Sequence, residues 1–237
     1  MMGLVTPVIE KYRPEFKVSV KLPAKEKPDY YIPTDDDIKF LISSLMARDD
    51  ADAENLLNAI LIAAFGSLRR SEVCGLRDCD VMNDYIVIRN VRIIDENNNV
   101  IDKSKAKNYT SNRIVELPES VMNRIKNKKG YIVDMKPDDI TRKFRRYLMK
   151  LDIPFFRFHD LRHYCATIMH SINFPIKYSM ARGGWNSSKT LEEIYTHTLD
   201  NTTKKLNKKL NKHFDDVFDA SAKKNARQNA KQNSENQ

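Results

Sequence analysis

The chain has 237 residues, 41% of them hydrophobic, enough for a core, and its six glycines and nine prolines are too few for a sandwich of short strands. No apolar run approaches the roughly 20 residues that cross a bilayer, and Met1-Met2-Gly3 leads into no hydrophobic signal segment, so a soluble, cytoplasmic protein with no membrane partner is expected. The formal net charge of +9 admits a nucleic-acid partner, yet residues 203–237 carry nine Lys and Arg against four Asp and Glu, so a surplus of five lies in a tail that solvent alone would accommodate.

Residues 1–33 are polar and punctuated by Pro7, Pro14, Pro23, Pro28 and Pro33, which reads as a linker. Thr34 is placed to cap a helix with Asp37 at its third position, and Ile38, Leu41, Ile42 and Leu45 follow at helical spacing. Leu56, Leu57, Ile60 and Leu61 mark a second helix ending near Gly66, and a short third one starts around Ser71-Glu72. Tyr85–Ile88, Val91–Ile94, Val100-Ile101 and Arg113–Leu117 are β-rich, and predict a small sheet of three antiparallel strands. Between the last two lies a polar, lysine-bearing stretch, 102–112. Pro118 opens another helix, and helical patterns continue through 137–151, 159–172, 175–182, 188–195 and 203–218. Residues 219–237 have the composition of a disordered basic and polar tail. The expected fold class is α+β, mainly α-helical.

Chemistry collects in three places. In Phe158-His159-Asp160-Leu161-Arg162-His163 a helical projection puts Leu161, Cys165, Ile168 and Ile172 on one stripe and His159, Arg162 and His163 opposite. An imidazole beside a guanidinium suits a phosphate, since Arg forks onto its oxygens and His moves a proton. The same face also reads as an ordinary solvated one. As a metal pair, His159 and His163 lack the intervening Glu of a zinc protease helix. The second place is Gly66-Ser67-Leu68-Arg69-Arg70-Ser71-Glu72, where one arginine can be held by Glu72 and aimed at an anion. The third is Gly183-Gly184-Trp185, followed ten residues on by Tyr195. Cys74, Cys79 and Cys165 match no zinc spacing and are read as reduced thiols.

In this order the three clusters resemble the tyrosine recombinases, or phage integrases, over residues 33–218. Arg69 with Glu72 matches the family's first box, His159-x-x-Arg162 its second, Trp185 its His-or-Trp position, and Tyr195 its nucleophile. Lys107 matches the family's sheet lysine, counted back from Ser111-Asn112-Arg113-Ile114-Val115-Glu116-Leu117, although Lys103 and Lys105 share that stretch. The family's usual His is replaced by Trp at 185. Residues 1–33 are then the linker or remnant of an absent N-terminal core-binding domain, and 34–218 the catalytic domain.

The resemblance implies site-specific cleavage and rejoining of double-stranded DNA for a mobile element, through a 3′-phosphotyrosine at Tyr195. Arg69 and Arg162 would neutralise the phosphate, Lys107 would protonate the leaving oxygen, and His159 would assist the tyrosine. Trp185 would pack against the tyrosine segment and donate its indole N–H. Glu72 would position Arg69, and His163 would support or pack. No metal, ATP or cofactor is expected. The resemblance further implies a monomer that assembles as a tetramer on DNA by exchanging its C-terminal helix, with accessory DNA-bending or directionality proteins. Leu206, Leu210, Phe214, Val217 and Phe218 form the stripe that such a helix needs, and docking on its own domain is an equal reading. Two other functions remain open: a type IB topoisomerase-like nicking and closing enzyme, and a truncated, non-catalytic DNA-binding integrase.

Overall fold

The computed structural model describes residues 31–104, 112–192, 194, 208, 211–212 and 214. From Tyr31 onward the chain forms a compact unit of its own. Its helices are α1 (Asp35–Met46), α2 (Ala51–Gly66), α3 (Arg70–Gly75), α4 (Glu119–Ile125), α5 (Pro137–Lys150), α6 (Asp160–Ser171) and α7 (Ile176–Gly183), and its strands are β1 (Tyr85–Ile88), β2 (Asn90–Ile94), β3 (Val100–Ser104) and β4 (Arg113–Glu116). A further helix begins at residue 188. No helix among the described residues is long and apolar enough to cross a membrane.

Helix α1 starts as its capping box dictates. The Thr34 hydroxyl accepts from the Asp37 amide, and the Asp37 carboxylate accepts from the Thr34 amide. Asp50 caps α2 by accepting from the Ala53 amide at 2.8 Å. Helix α2 is buried on nearly every side, from Ala53 through Leu56, Ile60 and Ala64 to Gly66. It is the axis of the core, and α1, α3, α4, α5 and α6 all pack on it. Helix α5 inserts Ile140, Phe144 and Leu148 at i, i+4 and i+8, and the Phe144 ring meets Phe156 and Phe158 edge-on at 5.3 and 5.5 Å.

The strands pair as two antiparallel ladders, β1 with β4 and β2 with β3, where the sequence predicted a single three-stranded sheet. The division falls at Arg89. Its side chain turns away from the strand to bond Asp80 and the Cys79 carbonyl, and the chain leaves the first ladder there. The β2–β3 hairpin instead lies against α3. A Cβ at Gly75 would stand 2.9 Å from both the Asn90 carbonyl oxygen and the Val91 Cα, so only glycine permits this approach.

Candidate active site

Helix α2 ends at Ser67, a non-glycine residue in the left-handed region with φ of 58°, a conformation that a buried residue keeps only when its surroundings hold it there. The turn reverses the chain into Arg69, the N-cap of α3. The Arg69 amide donates to Glu72 Oε2 at 2.8 Å and its Nη1 to Glu72 Oε1 at 3.0 Å, while Nη2 donates to the Gly184 carbonyl at 2.9 Å. Glu72 is fully buried. It also accepts from Arg113 on β4, Nη1 to Oε1 at 3.1 Å and Nη2 to Oε2 at 2.8 Å. Arg113 Nε donates to the Arg182 carbonyl at 2.8 Å.

Arg162 approaches the same place from α6. It is 1% exposed, and its Nη1 donates to the carbonyls of Ser67 and Gly183, both at 2.5 Å. The helical projection had it on a face open to solvent. The structure covers that face with the turn after α7, so Arg162 is one of the largest fully buried side chains. Its Nη2 is buried with no hydrogen-bond partner among the described residues. Burial, with the Arg69 and Arg113 charges nearby outweighing the opposing pull of Glu72 and Cys165, pushes its pKa down to about 9. The charged form is held at a cost, and an arriving anion would remove that cost.

The Gly183-Gly184 pair makes this convergence possible. Its adjacent carbonyls accept from Arg162 and Arg69 respectively. Gly184 is left-handed with φ of 66°, and a Cβ there would lie 3.1 Å from Arg113 Nη1. A Cβ on Gly183 would fall 2.0 Å from the Trp185 ring. Trp185 in turn places its ring against Arg162, with Cζ 3.9 Å from the ring centroid. It also packs on the small cluster of Cys165, Ala166, Met169, Leu191 and Ile194. Ile194 immediately precedes Tyr195. Tyr195 itself lies outside the described residues, as do Lys105 and Lys107, while Lys103 is exposed on β3.

His159 stands at the N-cap position of α6, makes no side-chain cap bond, and reaches the surface. Partial desolvation of its ring, followed by the neighbouring His163 and the Arg162 charge, pushes its pKa down to about 4, so it is neutral at pH 7. Its ring meets that of His163 edge-on at 4.9 Å. His163 Nδ1 stands 3.2 Å from Asp160 Oδ1. Asp160 is buried, which by itself would raise its pKa; hydrogen bonds from His163 and Arg157 outweigh that and hold it at about 2.

Of the residues expected at the site, Arg69, Glu72, Arg162 and Trp185 are brought together directly, and His159 and His163 sit at the start of the same helix as Arg162. Arg113 was not among them, although it lies two residues from the buried Val115 on one strand face. Among the described residues no group of three His, Cys, Asp or Glu side chains is arranged to hold a metal.

A mainly helical domain gathers three guanidiniums, two of them on one buried carboxylate, an arrangement suited to a strongly anionic group. Comparison with known proteins says which kind of protein this is. Residues 34–202 match the description "Phage integrase family", and the chain belongs to that family. A relative called "Tyrosine recombinase XerC-like", from Caldanaerobacter subterraneus subsp. tengcongensis, is 25% identical over 181 residues, covering 60% of this chain and 46% of the relative. The chain thus spans about half the length of that curated relative. Among solved structures, the Tn1549 transposon integrase in complex with circular intermediate DNA aligns at a TM-score of 0.65 and 20% identity, covering 87% of this chain and 76% of the other. The XerA recombinase aligns at 0.59 and 20%, covering 86% and 72%. At these identities the likeness establishes the fold.

Proposed function

We propose that the chain is the catalytic domain of a site-specific DNA recombinase, cleaving and rejoining strands through a phosphotyrosine at Tyr195. The observation that carries this reading is the surplus of positive charge where Arg69 and Arg162 meet the Gly183-Gly184 turn. Two guanidiniums, those of Arg69 and Arg113, share the Glu72 carboxylate there, and among the described residues the third, Arg162, is held by main-chain carbonyls and has a buried nitrogen with no hydrogen-bond partner. A phosphodiester supplies the missing anion.

In the proposed step the Tyr195 hydroxyl oxygen bonds to phosphorus while the bond from phosphorus to the 5′-oxygen breaks. Arg69 and Arg162 neutralise the non-bridging oxygens as charge builds on them. His159, neutral at pH 7, accepts the tyrosine proton, and the entering phosphate raises its basicity by offsetting the neighbouring cations. Lys107 on the 105–111 segment donates the proton that the 5′-oxygen needs. The phosphate-ester bond is conserved in the protein adduct, so rejoining requires no ATP, and the arginines supply the charge that a metal supplies elsewhere. Trp185 holds the Arg162 guanidinium plane and offers its N–H to the phosphate.

Double-stranded DNA is the proposed substrate. On it, neighbouring copies are proposed to exchange segment 203–218 into a tetramer, with accessory proteins setting direction. The proposed acceptor is an apolar groove of about 310 Å³ lined by Phe65, Ile168, Met169, Ile172 and Phe174. Phe214, from the apolar stripe of that segment, is 57% exposed.

The test is a pool of nicked duplexes with randomised sequence, in which cleavage releases a short strand and traps the enzyme. The parent chain should give an adduct that survives denaturation, and Tyr195→Phe should give none. An adduct that persists in Tyr195→Phe rejects the assigned nucleophile.

A further inference from the structure

We propose that Arg113 is a positioning residue for strand cleavage, holding Glu72 and the Gly183-Gly184 turn so that Arg69 presents its charge to the scissile phosphate; this rests on the recombinase reading above. A buried arginine paired with a buried glutamate is commonly a staple of the fold. Here the glutamate is shared with a residue of the site, and the consequences differ.

Glu72 has two oxygens. With Arg69 as its only guanidinium neighbour, both would draw on that side chain, and a two-bond fork would turn Arg69 inward and cancel its charge. Arg113 prevents this. Its two terminal nitrogens take one bond at each oxygen, at 3.1 and 2.8 Å. The Arg69 side chain then keeps only the Nη1 bond to Oε1, and Nη2 is left to reach Gly184. The third nitrogen of Arg113 acts on the other side of the site. Nε bonds the Arg182 carbonyl, one residue before the glycine pair whose carbonyls hold Arg162 and Arg69. Gly184 lacks the Cβ that would press on Arg113 Nη1, so the turn sits flush against the guanidinium. One side chain therefore sets the counter-charge of the first arginine and the acceptor turn of both.

Charge points the same way. Glu72 offsets one positive charge, and Arg113 restores it at a place the phosphate does not have to touch. Without Arg113 the surplus at the site falls by one.

A substrate with one charge fewer separates this role from support of the fold. In a methylphosphonate linkage a methyl group replaces one non-bridging oxygen, so less charge has to be neutralised in the transition state. The probes are the nicked duplex recovered from the randomised pool and the same duplex with methylphosphonate at the cleaved position. For Arg113→Gln, adduct formation on the phosphodiester should fall by about 10- to 100-fold, the scale of a small misplacement of a charged group. On the methylphosphonate duplex the loss should be less than about threefold. Where Gln destabilises the chain, Arg113→Lys serves instead. It keeps the buried charge but cannot fork onto both carboxylate oxygens while bonding the Arg182 carbonyl, and the same substrate-selective loss is expected of it. Equal losses on both duplexes, or none on either, overturn the positioning role while leaving the recombinase reading intact. A parent chain that forms no adduct with any duplex of the pool overturns both.

Discussion

At the scale of single residues, Glu72 carries more than its neighbours. It is fully buried and faces two guanidiniums, one of them also buried. Glu72→Ala leaves the Arg113 charge inside the protein without a counterion, which costs about 3–5 kcal/mol in comparable buried pairs. A large drop in denaturant midpoint is expected, and Glu72→Gln, which still accepts hydrogen bonds, should lose less. His159 gives a second expectation, in pH. Its folded pKa of about 4 lies below the ordinary 6.5, so between these values the unfolded chain holds a proton that the folded one lacks. Stability therefore falls as pH drops from 6.5 towards 4, and above 6.5 the residue contributes nothing. Asp160 acts lower: its pKa of about 2 gives stability that is complete above 3.8 and lost as pH falls through 2. In urea unfolding across pH 4 to 6.5, His159→Gln should show a shallower slope than the parent; identical slopes would contradict the depressed pKa. Arg113 marks the limit of reading single residues from sequence. In Arg113-Ile114-Val115-Glu116 the alternation buries Arg113 with Val115 and leaves Ile114 62% exposed, so hydrophobicity alone chooses the wrong side for two of the four. The signal available was its shared face with Val115, and nothing local indicates that a carboxylate waits there.

At the scale of elements, helices α1 and α2 follow their caps, and α1 to α6 follow their apolar spacing, because each signal lies within a turn or two of the residue it governs. The strands depart from expectation because pairing is not local: β1 finds β4 some 25 residues on. Periodicity likewise placed Arg162 opposite Leu161 without showing that the turn after α7 would cover it, since a helix pattern describes one face and its neighbours decide the other. The glycines test these packings separately. Gly75→Ala pushes a Cβ into the β2 backbone and should destabilise the protein by about 1–3 kcal/mol, as overpacking does. Gly183→Ala should instead displace the Trp185 ring from Arg162. Trp185 is the single tryptophan, so its emission reads that displacement directly. A red shift is expected for Gly183→Ala and an unshifted spectrum for Gly75→Ala.

At the scale of the whole molecule, one exposed apolar surface stands out. Ile172, Phe174, Ile176 and Tyr178 are all exposed around the turn between α6 and α7, beside the groove proposed to receive segment 203–218. Deleting residues 203–237 should weaken assembly on DNA while leaving the thermal transition of the core near that of the parent. Sedimentation of the truncated chain with the recovered duplex checks this, and unchanged assembly would sink the exchange of segments.

The arginines of the site lean largely on main-chain carbonyls, those of Ser67, Arg182, Gly183 and Gly184, and on one side chain, Glu72. A peptide oxygen is present whatever amino acid a codon specifies. Substitution at Ser67 or Arg182 therefore leaves the acceptor in place so long as the backbone path survives, and constraint is tightest at the guanidiniums, Glu72 and the two glycines. Lineages can rewrite most of the surrounding text and keep the grip on the anion. In a saturation library scored by adduct formation, tolerance should be close to nil at 69, 72 and 162 and wider at 67 and 182, bounded there by the buried left-handed turn and by the Arg182 bonds to the Phe65 and Glu116 carbonyls.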